Sequence, residues 1–344
     1  MKGRPNHKVI PGLVPYPGGK ALQIEELLGL IGNIGSAGWM YIEPFVGAGS
    51  VVLNVLKRGL ADWVWINDGD PATAALWTTI IQKPEELQKL VTDRGKLTAE
   101  SVTKSLGIVQ GDGNGYSPVE YGYHALVVRR STWSGLGIAD PQPNQKVMDR
   151  WSVQGTCCDV ERAHTLLAGR VWKNECTCVD GAAVVQDAPT ESFIYLDPPY
   201  WEQRPDTYAT SFGEADHRHL AEALGNTLSA WLLSYDDSPF VRGLYHLENE
   251  LSNLPGVDVK HLGLLGEPGG QFLARPFEAP RSMNTRAKGK TAPELRICPS
   301  SHRYILGADG EEKSGFTEKG FTEMLTKVID RKSTRLNSSH ESPS

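Results

Sequence analysis

The sequence predicts an α/β protein built on an open sheet and interrupted by an insertion. Three observations carry this. Short apolar runs that read as buried strands alternate with helical spacings in two blocks, one early and one in the second half; a Gly-rich turn stands where the first strand hands over to a helix; and between about residues 83 and 163 the alternation stops. At 344 residues the chain is long enough to bury a sizeable core, in one large domain carrying an insertion or in two domains.

Taken in order, Ile42 and then residues 45–51 read as a strand running into the Gly-rich turn, and 51–60 continues with helical apolar spacing. Residues 61–67 (ADWVWIN) alternate and carry two tryptophans, which suits a buried second strand, and Pro71 at a first helical turn opens a helix through Ile81. In the interrupted stretch, Gly and polar residues cluster over 110–117, and 140–145 (DPQPNQ) forms a loop. The rhythm returns with a short strand at Val171, a buried strand over 192–196 (SFIYL) that ends in Asp197, a helix over 215–229, a strand over 231–234 (WLLS) and a late strand over 294–297. The expected division is a discontinuous main domain of residues 8–82 and 164–310, an inserted domain of 83–163 and a C-terminal extension of 311–329. Residues 330–340 (DRKSTRLNSSH) resemble the in-frame translation of a sequencing-library adapter, so 330–344 are set apart from fold reasoning.

Composition narrows the classes. The N-terminus has no apolar signal region, and no run approaches the ~18 apolar residues of a membrane span, so a soluble, intracellular protein is expected. The five cysteines (157, 158, 176, 178 and 298) lack metal-site spacing, which points to reduced thiols and no metal. A net charge of −6 argues mildly against a nucleic-acid partner. Between Arg275 and Arg303, however, seven basic residues face two acidic ones, a balance that permits DNA binding without showing it.

Three motifs carry chemistry. In 43–50 (EPFVGAGS), Phe45, Gly47 and Gly49 stand at a strand-to-helix turn where glycine lets the backbone approach a nucleotide-like ligand; a packing turn is the alternative. Asp68 ends the second strand, where a carboxylate can accept both ribose hydroxyls or simply belong to a turn. Asp197-Pro198-Pro199-Tyr200 leaves the most apolar strand at the carboxyl edge. Its prolines remove two donors, so the loop presents carbonyls and one carboxylate, all acceptors matched to an amine, and the Tyr200 ring suits stacking on a base.

In this order the motifs resemble the Dam-like DNA N6-adenine methyltransferases of the alpha arrangement, over about residues 11–297. Tyr16-Pro17-Gly18-Gly19-Lys20 looks like that family's N-terminal motif, whose aromatic and lysine contact the cofactor; Asp180 stands near its cofactor-adenine position; Phe212, Asp216, His217 and Leu220 resemble the helix after the catalytic loop, with a structural helix-start role for His217. The resemblance implies a Rossmann-like S-adenosylmethionine-dependent methyltransferase sheet with an inserted target-recognition domain. It implies cofactor binding by Tyr16, Lys20, Phe45, Gly47, Gly49, Asp68, Asp180 and Asp197, and catalysis by Asp197, Pro198 and Tyr200. In 130–136 (RSTWSGL), similar to the family's DNA-clamping stretch, Arg130 is expected on phosphate and Trp133 to pack or stack. Ser134 replaces the usual Asn there and no arginine follows over 137–145, departures that bear on the DNA site chosen.

The expected reaction is methyl transfer to the exocyclic amine of a flipped adenine in double-stranded DNA, without a covalent enzyme intermediate; the chain has no Pro-Cys dipeptide of the kind cytosine-C5 enzymes use. Rival substrates are other amines: cytosine in DNA, adenine in RNA, or a protein glutamine. Asp197, where Ser or Asn often stands in those relatives, favours adenine. An NAD-dependent oxidoreductase would leave residues 197–200 unexplained, and the intact motifs disfavour a DNA-binding protein without activity. A monomer or weak dimer in the cytoplasm of a prokaryotic or virus-infected prokaryotic cell, with a place in restriction-modification, completes the expectation.

Overall fold

A computed structural model describes residues 9–14, 20, 23–32, 38–132, 143–201, 212–236 and 238–245, together with three strands farther along the chain. The sheet begins with β1 (Met40–Glu43), β2 (Trp63–Ile66), β3 (Ser192–Leu196) and β4 (Ala230–Asp236), all parallel, in the order β2-β1-β3-β4. Antiparallel β5 (His261–Leu264), β7 (Arg303–Gly307) and β6 (Arg296–Ile297) extend it beyond β4. Every residue of β3 is buried, as its uninterrupted apolar run predicts for a strand covered on both faces.

The first strand is shorter and earlier than its sequence suggests. It ends at Glu43 because Pro44 has no N–H to donate to a ladder. Residues 44–49 are then a turn in which Gly47 and Gly49 hold φ of 46° and 68°. Helix α2 (Ser50–Lys57) starts directly afterwards. A Cβ on Gly49 would lie 2.3 Å from the Trp77 ring, and the Trp77 indole N–H donates to the Gly47 carbonyl at 2.9 Å. Helix α3 (Pro71–Gln82) opens with proline in its first turn and Asp70 as its N-cap. The strand expected at Val171 is a single parallel bridge to Val64, followed by a second between Thr177 and Asn67.

The interruption is helical. It comprises α4 (Pro84–Arg94), α5 (Ala99–Gln110), α6 (Pro118–Ser131), α7 (Gln145–Met148) and α8 (Val153–Leu167). Ser117 and Glu120 form a capping box that starts α6. From Tyr121 to Arg129 every residue of α6 is buried, so the helix runs through the middle of its layer and shows no apolar stripe. It crosses α3 closely, since a Cβ on Gly122 would come within 2.4 Å of the Thr79 hydroxyl. Helix α8 packs on α2, α3 and α4, and the buried side chains from Ile10 to Tyr245 form one contiguous core shared by sheet and helices. No helix among the described residues is long and apolar enough to cross a membrane.

Candidate active site

Parallel pairing points the carboxyl ends of β1, β2 and β3 the same way, and each strand delivers an acid at or just beyond its end: Glu43, Asp68 and Asp197. Glu43 is buried and accepts from the Tyr41 hydroxyl at 2.9 Å. Loss of water raises its carboxyl pKa well above the usual range, and the charges of Asp197 and Asp68 push the same way. Asp68 is also buried. One oxygen accepts the Gly47 N–H at 2.8 Å, the other the Asp70 N–H at 3.0 Å. Burial first, and the charge of Asp70 second, lift its pKa to about 6. Among the described residues neither Glu43 nor Asp68 forms a salt bridge.

Asp197 does. The Lys20 ammonium lies 2.7 and 2.5 Å from its two oxygens, and the Tyr200 hydroxyl donates to one of them at 3.0 Å. Lys20 also sits over the Tyr200 ring, 5.3 Å from its centre. Tyr200 is buried, so the ring expected to stack on a base faces inward here; the exposed ring beside it is Trp201, stacked on Phe240 at 3.8 Å. Behind them His217 bonds the Tyr235 hydroxyl and packs edge-on against Phe212 at 4.6 Å. It lies in the first turns of α10 (Glu214–Asn226), and its burial depresses its pKa to about 4.

On the other side of the Gly turn, Phe45 packs against Phe212 and against Gly181, where a Cβ would lie 2.3 Å from the ring. Gly181 opens the short helix α9 (Gly181–Gln186), and Asp180 just before it faces His219 of α10 at 3.3 Å. The approach of this segment to β2 is fixed by Asn67. Its amide donates to the Pro44 and Val179 carbonyls at 2.9 and 3.0 Å, and its oxygen accepts from the Thr177 hydroxyl and the Val179 N–H at 2.8 and 3.1 Å. All four bonding positions are used.

Lys20, Phe45, Gly47, Gly49, Asp68, Asp180 and Asp197 thus lie on segments that meet at one edge of the sheet. Tyr16 and Trp133, with Gly18, Gly19 and the basic stretch around 275–303, lie outside the described residues, save for the backbone of β6 and of Arg303 in β7. Arg130 is placed within the protein: it bonds Asp159 at 2.5 Å, the Leu13 carbonyl at 2.6 Å and the Thr156 hydroxyl at 3.1 Å. Glu43, Asn67, Trp201 and the buried pair Asp70–Arg129 join the site without a role of their own in the sequence motifs. For Glu43 a signal existed, because it ends an apolar strand as Asp197 does.

No curated protein matches this sequence. Residues 16–253, well over half the chain and including every motif of the sheet edge, match the D12 class N6 adenine-specific DNA methyltransferases. The order of acids along the sheet and the family match agree, and the chain belongs to the D12 class of N6 adenine-specific DNA methyltransferases, which methylate adenine N6 in DNA with S-adenosylmethionine as methyl donor.

Proposed function

We propose that the carboxyl edge of β1, β2 and β3 holds S-adenosylmethionine and that Asp197, Pro198 and Tyr200 receive the amine of an adenine flipped out of duplex DNA. The supporting observation is the setting of Asp197, on a rigid strand exit with its oxygens directed to an ammonium and a phenol.

The residues present fit this cofactor. It carries a sulfonium and an ammonium charge and a ribose diol, and the edge offers two buried carboxyl groups that form no salt bridge among the described residues, Glu43 and Asp68, together with the Gly47 to Gly49 turn. Tyr16, Lys20, Phe45, Gly47, Gly49, Asp68, Asp180 and Asp197 form the binding set. Bound there, the cofactor supplies an electrophilic methyl group. Asp68 accepts the ribose hydroxyls, Phe45 offers its ring to the cofactor adenine, and Asp180 lies beside it.

For the target base, Asp197 and the Pro198 carbonyl each accept one N–H of the amine. This orients the nitrogen and concentrates its lone pair for attack. Asp197 stabilises the charge that develops on nitrogen and does not remove a proton beforehand, because the amine N–H is far too weak an acid for a carboxylate to deprotonate; the proton leaves once the carbon–sulfur bond has broken and the nitrogen has become cationic. Trp133 is assigned to packing or stacking against the DNA by its place in the 130–136 motif. Arg130 reaches a phosphate only by exchanging its bond to Asp159, so Arg130→Ala should lower fold stability along with DNA affinity.

The test is Asp197→Ala. Methyl transfer to adenine-containing duplex should be abolished while S-adenosylhomocysteine binding, followed by calorimetry, stays measurable; near-normal methylation would overturn the assignment.

A further inference from the structure

Helix α3 begins with more than its cap requires. Asp70 already accepts the Ala72 and Thr73 N–H groups at 3.2 Å each and the Thr73 hydroxyl at 2.6 Å, which satisfies the helix start. Yet Arg129, from a helix 59 positions along the chain, is brought in to bond both Asp70 and Thr73, and it is only 3% exposed. Burying a guanidinium is costly, and helix capping alone does not call for it. What Asp70 touches besides its own helix is Asp68: its N–H holds one Asp68 oxygen while Gly47 holds the other.

We propose that Arg129 is a positioning residue for cofactor binding, acting through Asp70 to hold Asp68 in the orientation and the charge state in which it accepts the ribose hydroxyls. The proposal rests on the reading of Asp68 as the ribose acid. Two effects combine. Mechanically, Arg129 fastens the 68–70 turn to α6, so the carboxylate is braced from the Gly turn on one side and from the helical layer on the other. Electrostatically, it offsets the charge of Asp70 beside Asp68. Asp68 is faced by Asp70 at the start of α3, Glu43 at the end of β1, and Cys176 and Cys178 on the segment alongside β2, and Arg129 on α6 is the positive group among them. Asp70 raises the Asp68 pKa and Arg129 lowers it, with Asp70 the stronger of the two.

Those opposite signs separate positioning from packing. The probe is S-adenosylhomocysteine, titrated by calorimetry into the full chain from pH 5 to 8. Binding to the unsubstituted protein should weaken as pH falls through about 6. Arg129→Met should move that midpoint upward, weaken binding at pH 7, and raise the KM for the methyl donor more than it lowers kcat. Arg129→Lys should restore the original midpoint. The double variant Asp70→Asn/Arg129→Met strands neither buried charge and should move the midpoint below that of the unsubstituted protein. Set beside Asp70→Asn alone, whose midpoint should be lower still, it reports on Arg129 even where Arg129→Met alone fails to fold; equal midpoints in those two variants would count against the proposal.

A midpoint that stays put in the double variant, or moves upward in it, would overturn the proposal. Asp68→Asn is the separate control. If it binds the probe as well as the unsubstituted protein, the ribose reading fails. If it loses binding while the Arg129 variants keep the original midpoint, the Arg129 proposal alone fails.

Discussion

A target amine reaching Asp197 meets a carboxylate that already has partners. Lys20 bonds both oxygens and Tyr200 one, so the amine shares the carboxylate with an ammonium and a phenol. Lys20→Met removes the ammonium and leaves a mostly buried carboxylate with Tyr200 alone. It should reduce stability by roughly 1–3 kcal/mol in denaturant melts and lower methyl transfer along with it. Asn67 offers a second case. Asn67→Asp turns two donors into acceptors that face the Pro44 and Val179 carbonyls, and should cost about 2–4 kcal/mol by the same measurement and loosen cofactor binding. Asp68 and Asp197 were legible in the sequence because each follows an apolar strand. Asn67 and Arg129 were not, because their partners lie 112 and 59 positions away and no local pattern announces them.

Among the elements, β3 was readable to the residue, since an uninterrupted apolar run bounded by Ser and Asp admits few alternatives. Strand β1 was misplaced because Val46 and Val51 continue the apolar composition across the turn; Pro44 and the left-handed glycines set its end. Helix α6 escaped notice for a different reason. Buried all round, it has no periodic stripe, and only its capping box marks it. The glycine at its crossing with α3 tests how tightly this layer is packed. Gly122→Ala places a methyl carbon 2.4 Å from the Thr79 oxygen and should destabilise by roughly 1–3 kcal/mol. Gly49→Ala should be worse, since a left-handed φ costs an L side chain about 1–2 kcal/mol before the contact with Trp77 is counted. Thermal melts of both variants check the order.

For the whole molecule, the buried histidines set the response to acid. His124, between Arg94 and Ser105, and His217, beside Tyr235, both have pKa values depressed to about 4 by burial, against 6.5 for a free histidine. The unfolded chain therefore takes up protons first. The stability these neutral rings contribute is complete above about 6.5 and is lost as pH falls from there towards about 4. Asp68 acts in the opposite sense, since its raised pKa lets the folded state gain a proton before the unfolded one, below about 6. Glu43, whose pKa burial also raises, adds to the Asp68 effect, so the histidine part is read by difference: Tm of His124→Gln should fall less between pH 6.5 and 4 than that of the unsubstituted protein. The strand order has a further consequence, for synthesis on the ribosome. Strand β1 lies between β2 and β3, yet β3 is translated about 150 residues later, so the nascent chain carries β1 with one edge unpaired through the making of the whole helical layer. The ion pair between Lys20 and Asp197, 177 positions apart, forms only once Asp197 has emerged. The growing chain is therefore most exposed to misassociation just before β3 arrives, and slowing translation upstream of residue 192 should lengthen that window.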